Sequence, residues 1–477
     1  MSQPSTALLI DFGSTYTKLR ALDLDAAKVI GSGQGPSTIA TDITEGLHAA
    51  LADLETQIGA LPEFQFRLAS SSAAGGLRMV AVGLVRELTV EAARRAALGA
   101  GAKLIGAFAY QLTAADVAEI TALNPDILLL AGGTDGGNDQ VIRANAAALA
   151  AAGLSCPMII AGNRVAADEV SATFAAAGLN VVVTENVMPE FNSLNIEPAR
   201  AAIRQEFIDR IVHAKGIDKA RGMLDQVLMP TPAAVLEGAR LLADGTADTQ
   251  GLGPLVVIDV GGATTDVHSI ADGAPTGGGV VEHGLPEPHA KRTVEGDLGM
   301  RHGLAGIIDA VGAEGLAQSA GLERSLFDDV VSAIASDLER LPATEEEQAV
   351  DGAIARAAVS LAMTRHAGST HVVQTVTGPS VIQEGKDLGT VATIIGTGGV
   401  FAHGDNSARI LGAALADPGE PESLRPAAAT LMLDADYLLY AVGLLAEVAP
   451  EAALRLGRDN LKTLDAKEAR HGFGSAA

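Results

Sequence analysis

Two short segments of the chain share one arrangement of residues suited to phosphate and metal. Leu8-Leu9-Ile10 leads into Asp11-Phe12-Gly13-Ser14-Thr15-Tyr16-Thr17-Lys18, and Val256-Val257-Ile258 leads into Asp259-Val260-Gly261-Gly262-Ala263-Thr264-Thr265-Asp266. In both, an apolar run ends in Asp, Gly follows two positions later, a small residue comes next, and Thr stands six positions after the Asp. A carboxylate at a strand end can hold Mg²⁺ through the waters that this ion releases reluctantly. Gly13, Gly261 and Gly262 let backbone N–H groups approach a phosphate with no Cβ in the way. Ser14, Thr15, Thr17, Thr264 and Thr265 add hydroxyl donors, and Lys18 adds a point charge. One such hairpin alone reads as readily as an ordinary β-turn. Its repetition with the same offsets favours phosphate, with two facing hairpins clamping a triphosphate between two lobes.

A third turn, Ile394-Ile395-Gly396-Thr397-Gly398-Gly399, follows an apolar run late in the chain, where glycines would let a flat base and ribose lie against the backbone. The G-x-x-x-x-G-K-[ST] pattern is absent, and Gly31-Ser32-Gly33-Gln34-Gly35 reads as a plain loop because no β-α-β fingerprint surrounds it.

Short apolar runs bounded by Gly, Asn and Asp alternate with Ala-rich helical periods nearly throughout, so the fold class is α/β. Strands are expected at Leu104–Phe108, Asp126–Ala131, Met158–Ala161 and Val181–Thr184, with helices beginning near Thr113, Asp139 and Arg164. Right-handed crossovers would make these a parallel sheet of its own, read as an inserted domain over 99–190. Ala199, Ile203, Phe207 and Ile211 mark one face of an amphipathic helix. Tyr437–Ala446, apolar all round, reads as a helix between layers, and the charged tail from Arg455 is expected to fray. The resulting division is 1–98 (first hairpin), 99–190, a helical connection over 191–253, 254–430 (second hairpin and third turn) and 431–477.

Composition narrows the function. Of 477 residues, 33 are Lys or Arg and 58 are Asp or Glu, giving a formal charge of −25 that repels nucleic acid and anionic membranes. Aromatics make up 3% with no Trp, which removes the stacking platforms of single-strand binders. A lone cysteine, Cys156, cannot form an intrachain disulfide or a cysteine-held cluster. Met1–Thr6 has no basic region of a signal peptide, and a cytoplasmic location is expected.

The three motifs resemble those of the actin-like ATPase superfamily, which includes sugar kinases, acetate kinase and heat-shock chaperones. That resemblance implies two ribonuclease H-like lobes joined by crossing helices, with ATP and Mg²⁺ as cofactors. Asp11, Asp259 and Asp266 would be its catalytic carboxylates, Asp11 and Asp259 its metal residues, and Gly396, Thr397, Gly398 and Gly399 its adenosine turn. Longer stretches are similar to the MutL family that accompanies glutamate mutase, sometimes called GlmL and unrelated to the mismatch-repair protein of that name. They are Asn186–Glu190, Ala199–Gly216, Pro232–Val235, Val257–Ser269 and Lys291–Arg301. The resemblance implies a slow ATPase that reactivates an adenosylcobalamin-dependent mutase by releasing damaged cofactor.

A metabolite kinase would use the same nucleotide residues together with a carboxylate base, for which Asp266, Glu295 and Asp297 are candidates. Activators of hydroxyacyl-CoA dehydratases have a similar first hairpin but need an iron–sulfur cluster held by two Cys per subunit, and Cys156 stands alone. Asp266-Val267-His268 begins like the cobalamin-ligating D-x-H-x-x-G motif, yet Ala271 occupies its Gly position, so His268 reads as an ordinary strand residue. Glu282, His283 and His289 have metal-like composition without metal-like spacing, and the turn Ala131–Asn138 stands where parallel sheets often bind ligands.

Overall fold

In the computed structural model the described residues are 5–13, 16–38, 42–71, 77–214, 224–376, 378–402 and 406–465. The chain divides into two compact units, Met1–Gly238 with Gly284–Pro286 and Tyr440–Leu456, and Ala239–His283 with Glu287–Leu439 and Gly457–Ala477.

The first unit is built on β1 (Thr6–Phe12), buried along its whole length. It pairs antiparallel with β2 (Tyr16–Asp23), which pairs antiparallel with β3 (Lys28–Pro36). On its other side β1 runs parallel to β4 (Phe66–Ser71), and β4 runs parallel to β10 (Gln226–Pro230). The second unit repeats the scheme. There β11 (Leu255–Val260), β12 (Thr265–Ile270) and β14 (Ala290–Glu295) form the antiparallel meander, and β17 (Thr393–Thr397) and β18 (Thr430–Asp434) continue parallel to β11. Counted along the chain, both sheets follow the order 3-2-1-4-5, the ribonuclease H-like arrangement, with a sixth strand at the edge of the second, and the fold is α/β. In each, the central strand carries the Asp of a hairpin motif one residue before its end.

Between β4 and β10 lies a parallel sheet of β5 (Leu77–Gly83), β6 (Ala102–Ala109), β7 (Ile127–Leu130), β8 (Met158–Ile160) and β9 (Val181–Val183), ordered β6-β5-β7-β8-β9. Helices start at Ala114, Gln140 and Arg164, within a residue of the expected starts. β5 lies ahead of position 99, so the sheet reaches into a segment first assigned to the lobe. One face of this sheet has its own core of Val80, Val82, Leu128, Leu130 and Phe174, whereas Met79, Ala81, Ile127 and Leu129 join the core around β1. A satellite sheet of β13 (Val280–His283), β16 (Gly378–Glu384) and β15 (Ser369–Thr375) belongs to the second unit.

Two expectations are corrected. Gly31–Gly35 is the middle of β3, and its glycines let the helix Ile43–Ile58 rest on the strand, since a Cβ at Gly33 would overlap the Ala50 carbonyl oxygen. The chain beyond Arg455 does not fray within the described residues. A helix, Pro450–Asn460, buries Leu454 and Leu456, and β19 (Leu461–Thr463) pairs antiparallel with β18. The apolar helix is Leu439–Leu445, fully buried, and the amphipathic one is Glu197–Ala214, with Ala199, Ile203 and Phe207 buried and the Ile211 side chain and Gly216 outside the described residues. Among the described residues no helix is long and apolar enough to cross a membrane.

Candidate functional site

Strand pairing decides which residues of each motif share a face. In the first unit Asp11 stands opposite Lys18 on β2 and Ser70 on β4, so the three form one row across the sheet. Asp11 is 5% exposed, and its Oδ1 accepts from Ser70 Oγ at 3.1 Å and Thr231 Oγ1 at 2.6 Å. Thr231 opens the helix Thr231–Asp244 directly after β10. Burial raises the Asp11 pKa above the ordinary carboxylate value, against the two hydroxyl donors and the charges of Lys18 and Arg20. Gly13 N donates to Tyr16 O at 3.0 Å to close the turn, while Ser14 and Thr15 lie outside the described residues. Thr17 neighbours Lys18 on the strand and therefore faces away from Asp11, and its buried Oγ1 has no hydrogen-bond partner among the described residues.

In the second unit Asp259 stands opposite Asp266 on β12 and Thr397 on β17. Asp259 is half-buried, and the turn beside it leaves Gly262 and Ala263 exposed and Thr264 half-buried, with Gly261 N donating to Thr264 O at 2.9 Å. Gly398, at φ 99°, backs onto this carboxylate, where a Cβ would stand 2.6 Å from Asp259 Oδ1. Only glycine fits there. Thr397 Oγ1 donates to Asp434 Oδ2 at 2.9 Å, and Asp434 also accepts from Leu438 N and Leu439 N, so one carboxylate ties the third turn to the start of the helix Leu439–Leu445. Exposed Gly399 opens the next short helix, and Gly396 is packed against the Phe401 ring.

Asp266 is buried, with its pKa raised by burial against the pull of Arg292, whose Nη2 donates to Oδ2 at 3.2 Å, and its Oδ1 has no partner among the described residues. Thr265 Oγ1 donates to Leu298 O at 2.7 Å, which fastens Leu298–His302 against the turn, where Arg301 N and His302 N both donate to Gly262 O. The donor set therefore fits a magnesium–phosphate group. Each unit presents a strand-end carboxylate beside a turn whose backbone a Cβ would crowd, and Asp266 keeps an unmatched buried oxygen.

The remaining candidates are accounted for by structure. Glu295 and Asp297 share Arg365, which contacts both at 2.7 Å. His268 lies inside β12 and is held neutral by burial and by Arg292. Glu282, His283 and His289 do not converge. His283 pairs with Glu384, His289 lies between Asp244 and Asp272 at 2.9 Å each, and no metal-holding cluster of His, Cys, Asp or Glu occurs among the described residues. In the turn Ala131–Asn138, buried Asn163 and Asn186 hydrogen-bond Gly136, Gly137 and Gly133, which fixes the loop as structure. Ser70, Thr231, Arg292 and Asp434 escaped sequence reasoning, the first two because they lie 59 and 220 positions from Asp11.

A family model described as MutL protein matches residues 7–461. The chain belongs to the MutL family. It is 48% identical over 456 residues to "Protein MutL" of Clostridium tetanomorphum, covering 94% of this chain and 97% of that one. Among solved structures, gluconate kinase from Lactobacillus acidophilus aligns over 98% of this chain and 95% of its own, at 10% identity and a TM-score of 0.37. Xylulose kinase from Bifidobacterium adolescentis aligns over 95% and 93%, at 13% identity and a TM-score of 0.32.

Proposed function

We propose that this MutL-family chain binds ATP with Mg²⁺ and acts as an ATP-dependent reactivating partner of an adenosylcobalamin-dependent mutase of the glutamate mutase type. The observation that carries the nucleotide part is the recurrence of one Asp–Gly hairpin at the same sheet position in two units of the same strand order. In its own unit each of Asp11 and Asp259 would serve Mg²⁺ through its waters, and Gly13, Gly261, Gly262 and Gly398 would let phosphate and ribose approach the backbone. Thr264 would add a hydroxyl, and Lys18, in the row of Asp11, a positive charge. Mg²⁺ when bound offsets the charge on the phosphate oxygens. Asp266, buried beside Arg292, would orient the ion's waters.

The mutase part rests on family membership. A radical mutase that loses its adenosyl group retains inactive cobalamin in a closed site, and a partner opens that site only through differential affinity for its two states. Slow hydrolysis in the cytoplasm would alternate that affinity, and the parallel sheet β5–β9, which the nucleotide residues do not need, is our choice for the mutase contact. The kinase reading is less favoured because each candidate base, Asp266, Glu295 and Asp297, is paired with an arginine.

The test is to inactivate glutamate mutase with a tightly bound inactive cobalamin, then add this protein, adenosylcobalamin and Mg-ATP. Activity should return only with ATP. Equal recovery without the protein would refute the reactivase, and transfer of phosphate to a small sugar or carboxylate would establish the kinase.

A further inference from the structure

The edge of a sheet offers a row of backbone N–H and C=O groups that another strand can join, and folded chains guard such edges with charge, brevity or a bulge. In the four sheets of the described residues every edge strand but one has such a guard. β3 includes Lys28, and the Asp53 carboxylate accepts from Gln34 N of that strand at 2.9 Å. β10 shifts register against β4, and β6 shifts against β5. β14 carries Lys291 and Arg292, β13 ends in Glu282 and His283, and β9 and β19 are three residues long. β15 is the exception. It has seven residues, pairs with β16 without a register shift, and lies in a stretch, 369–383, that contains no Asp, Glu, Lys or Arg.

The outer side of β15 is closed only at its start, where Thr370 N donates to Glu422 O and Leu424 N donates to Gly368 O, both at 2.8 Å. Backbone groups alternate in direction along an antiparallel strand, so Val372 and Gln374 turn their N–H and C=O groups to the same outer side as Thr370. Neither has a backbone partner on that side among the described residues. Val372 is 64% exposed, and Val376, next in the alternation after Gln374, is fully exposed. Val372 stands opposite Val381, and Val381 opposite Val280, so one apolar row crosses the three strands and ends at the open edge.

We propose that β15 is a self-association edge, which joins β15 of a second copy of this chain in antiparallel pairing about a two-fold axis at Gln374. This register leaves Thr370, whose outer N–H is already taken, outside the paired segment. It sets Val372 of each copy opposite Val376 of the other, which covers two exposed valines and lengthens the apolar row across a continuous six-stranded sheet. A two-fold axis makes the contact isologous, so it closes at a dimer. The formal charge of −25 opposes contact between copies elsewhere, and this uncharged stretch is where two of them can meet with little repulsion. The contact uses no hairpin residue and is independent of the nucleotide reading.

The test is analytical ultracentrifugation of the full chain from about 1 to about 200 μM. A reversible monomer–dimer equilibrium is expected, with a dissociation constant on the order of 10 μM because one strand pair is a small interface. Val372→Lys should weaken it by about tenfold or more while leaving the thermal midpoint of the monomer unchanged. Gln374→Cys supplies a second reading, since directly paired Cα atoms about 5.5 Å apart lie within disulfide reach. The native Cys156 is buried, so mild oxidation should convert Gln374→Cys to a covalent dimer and leave Val281→Cys, on the opposite edge strand, monomeric. A chain that stays monomeric throughout, a dimer indifferent to Val372→Lys, or equal cross-linking of the two cysteine variants overturns the proposal. So does a monomer whose binding to the mutase is lost in Val372→Lys, which would give the edge to that partner instead.

Discussion

Asp11 combines two demands that conflict. Burial raises its pKa, so the charged form, which the proposed Mg²⁺ would need, destabilises the folded chain at neutral pH. Asp11→Asn keeps an Oδ1 acceptor for Ser70 and Thr231 and should stabilise the nucleotide-free protein by about 1 kcal/mol at neutral pH, a trade-off familiar at functional sites. The gain should vanish at pH values below the ordinary carboxylate pKa and grow as pH rises through the raised folded value. Denaturant midpoints of the two proteins across that range test it. Asp259→Ala should abolish metal-dependent ATP binding with the fold intact, and unchanged ATP titrations would remove Asp259 from the site. The pKa of His289 is also raised, but by the opposite cause. Burial lowers its pKa, but the carboxylates of Asp244 and Asp272 outweigh that effect and leave it raised. Its stabilising contribution is therefore complete at low pH and lost as pH rises through the raised value, so the deficit of His289→Gln should shrink between about pH 5 and about pH 9. The carboxylates of the hairpins were legible because their spacing repeats. Their hydroxyl and arginine partners were not, because strand pairing delivers them from distant positions.

Elements were legible where local signals sufficed. Helix starts near Thr113 and Arg164 follow from capping side chains, and Thr113 with Asp116 closes a capping box. Strand membership was less so. The apolar run Leu77–Gly83 satisfies either sheet of the first unit, and only pairing with β6 and β7 assigns it. The glycines of β3 resembled a loop because their cause, a helix lying on the strand, is tertiary. A similar approach governs Gly443 in the helix Leu439–Leu445, where a Cβ would overlap the Ala234 carbonyl oxygen of the helix Thr231–Asp244. Gly443→Ala should cost about 2–3 kcal/mol through overpacking, read as a lower urea midpoint with an unchanged slope. A cost near zero would mean that the helices can separate without penalty.

For the whole molecule, the internal repeat was visible because each half keeps its own hairpin. The two rows nevertheless differ in charge, since Lys18 and Ser70 flank Asp11 while Asp266 and Thr397 flank Asp259. The reactivation assay should be sensitive to this asymmetry. Lys18→Ala and Asp259→Ala should each prevent ATP-dependent recovery of the mutase, and recovery in both variants would separate reactivation from nucleotide chemistry.

The position of the parallel sheet within the first unit also affects how the chain is made. The β5–β9 sheet leaves the ribosome before β10 and Thr231, which complete the sheet around Asp11. With 220 positions between Asp11 and its closest hydroxyl donor, translation imposes a delay on the order of tens of seconds during which the carboxylate lacks that donor and β4 has an open edge. The inserted sheet, built from neighbouring strands, can form during that interval on the core around β1, before β10 and Thr231 complete the sheet at Asp11.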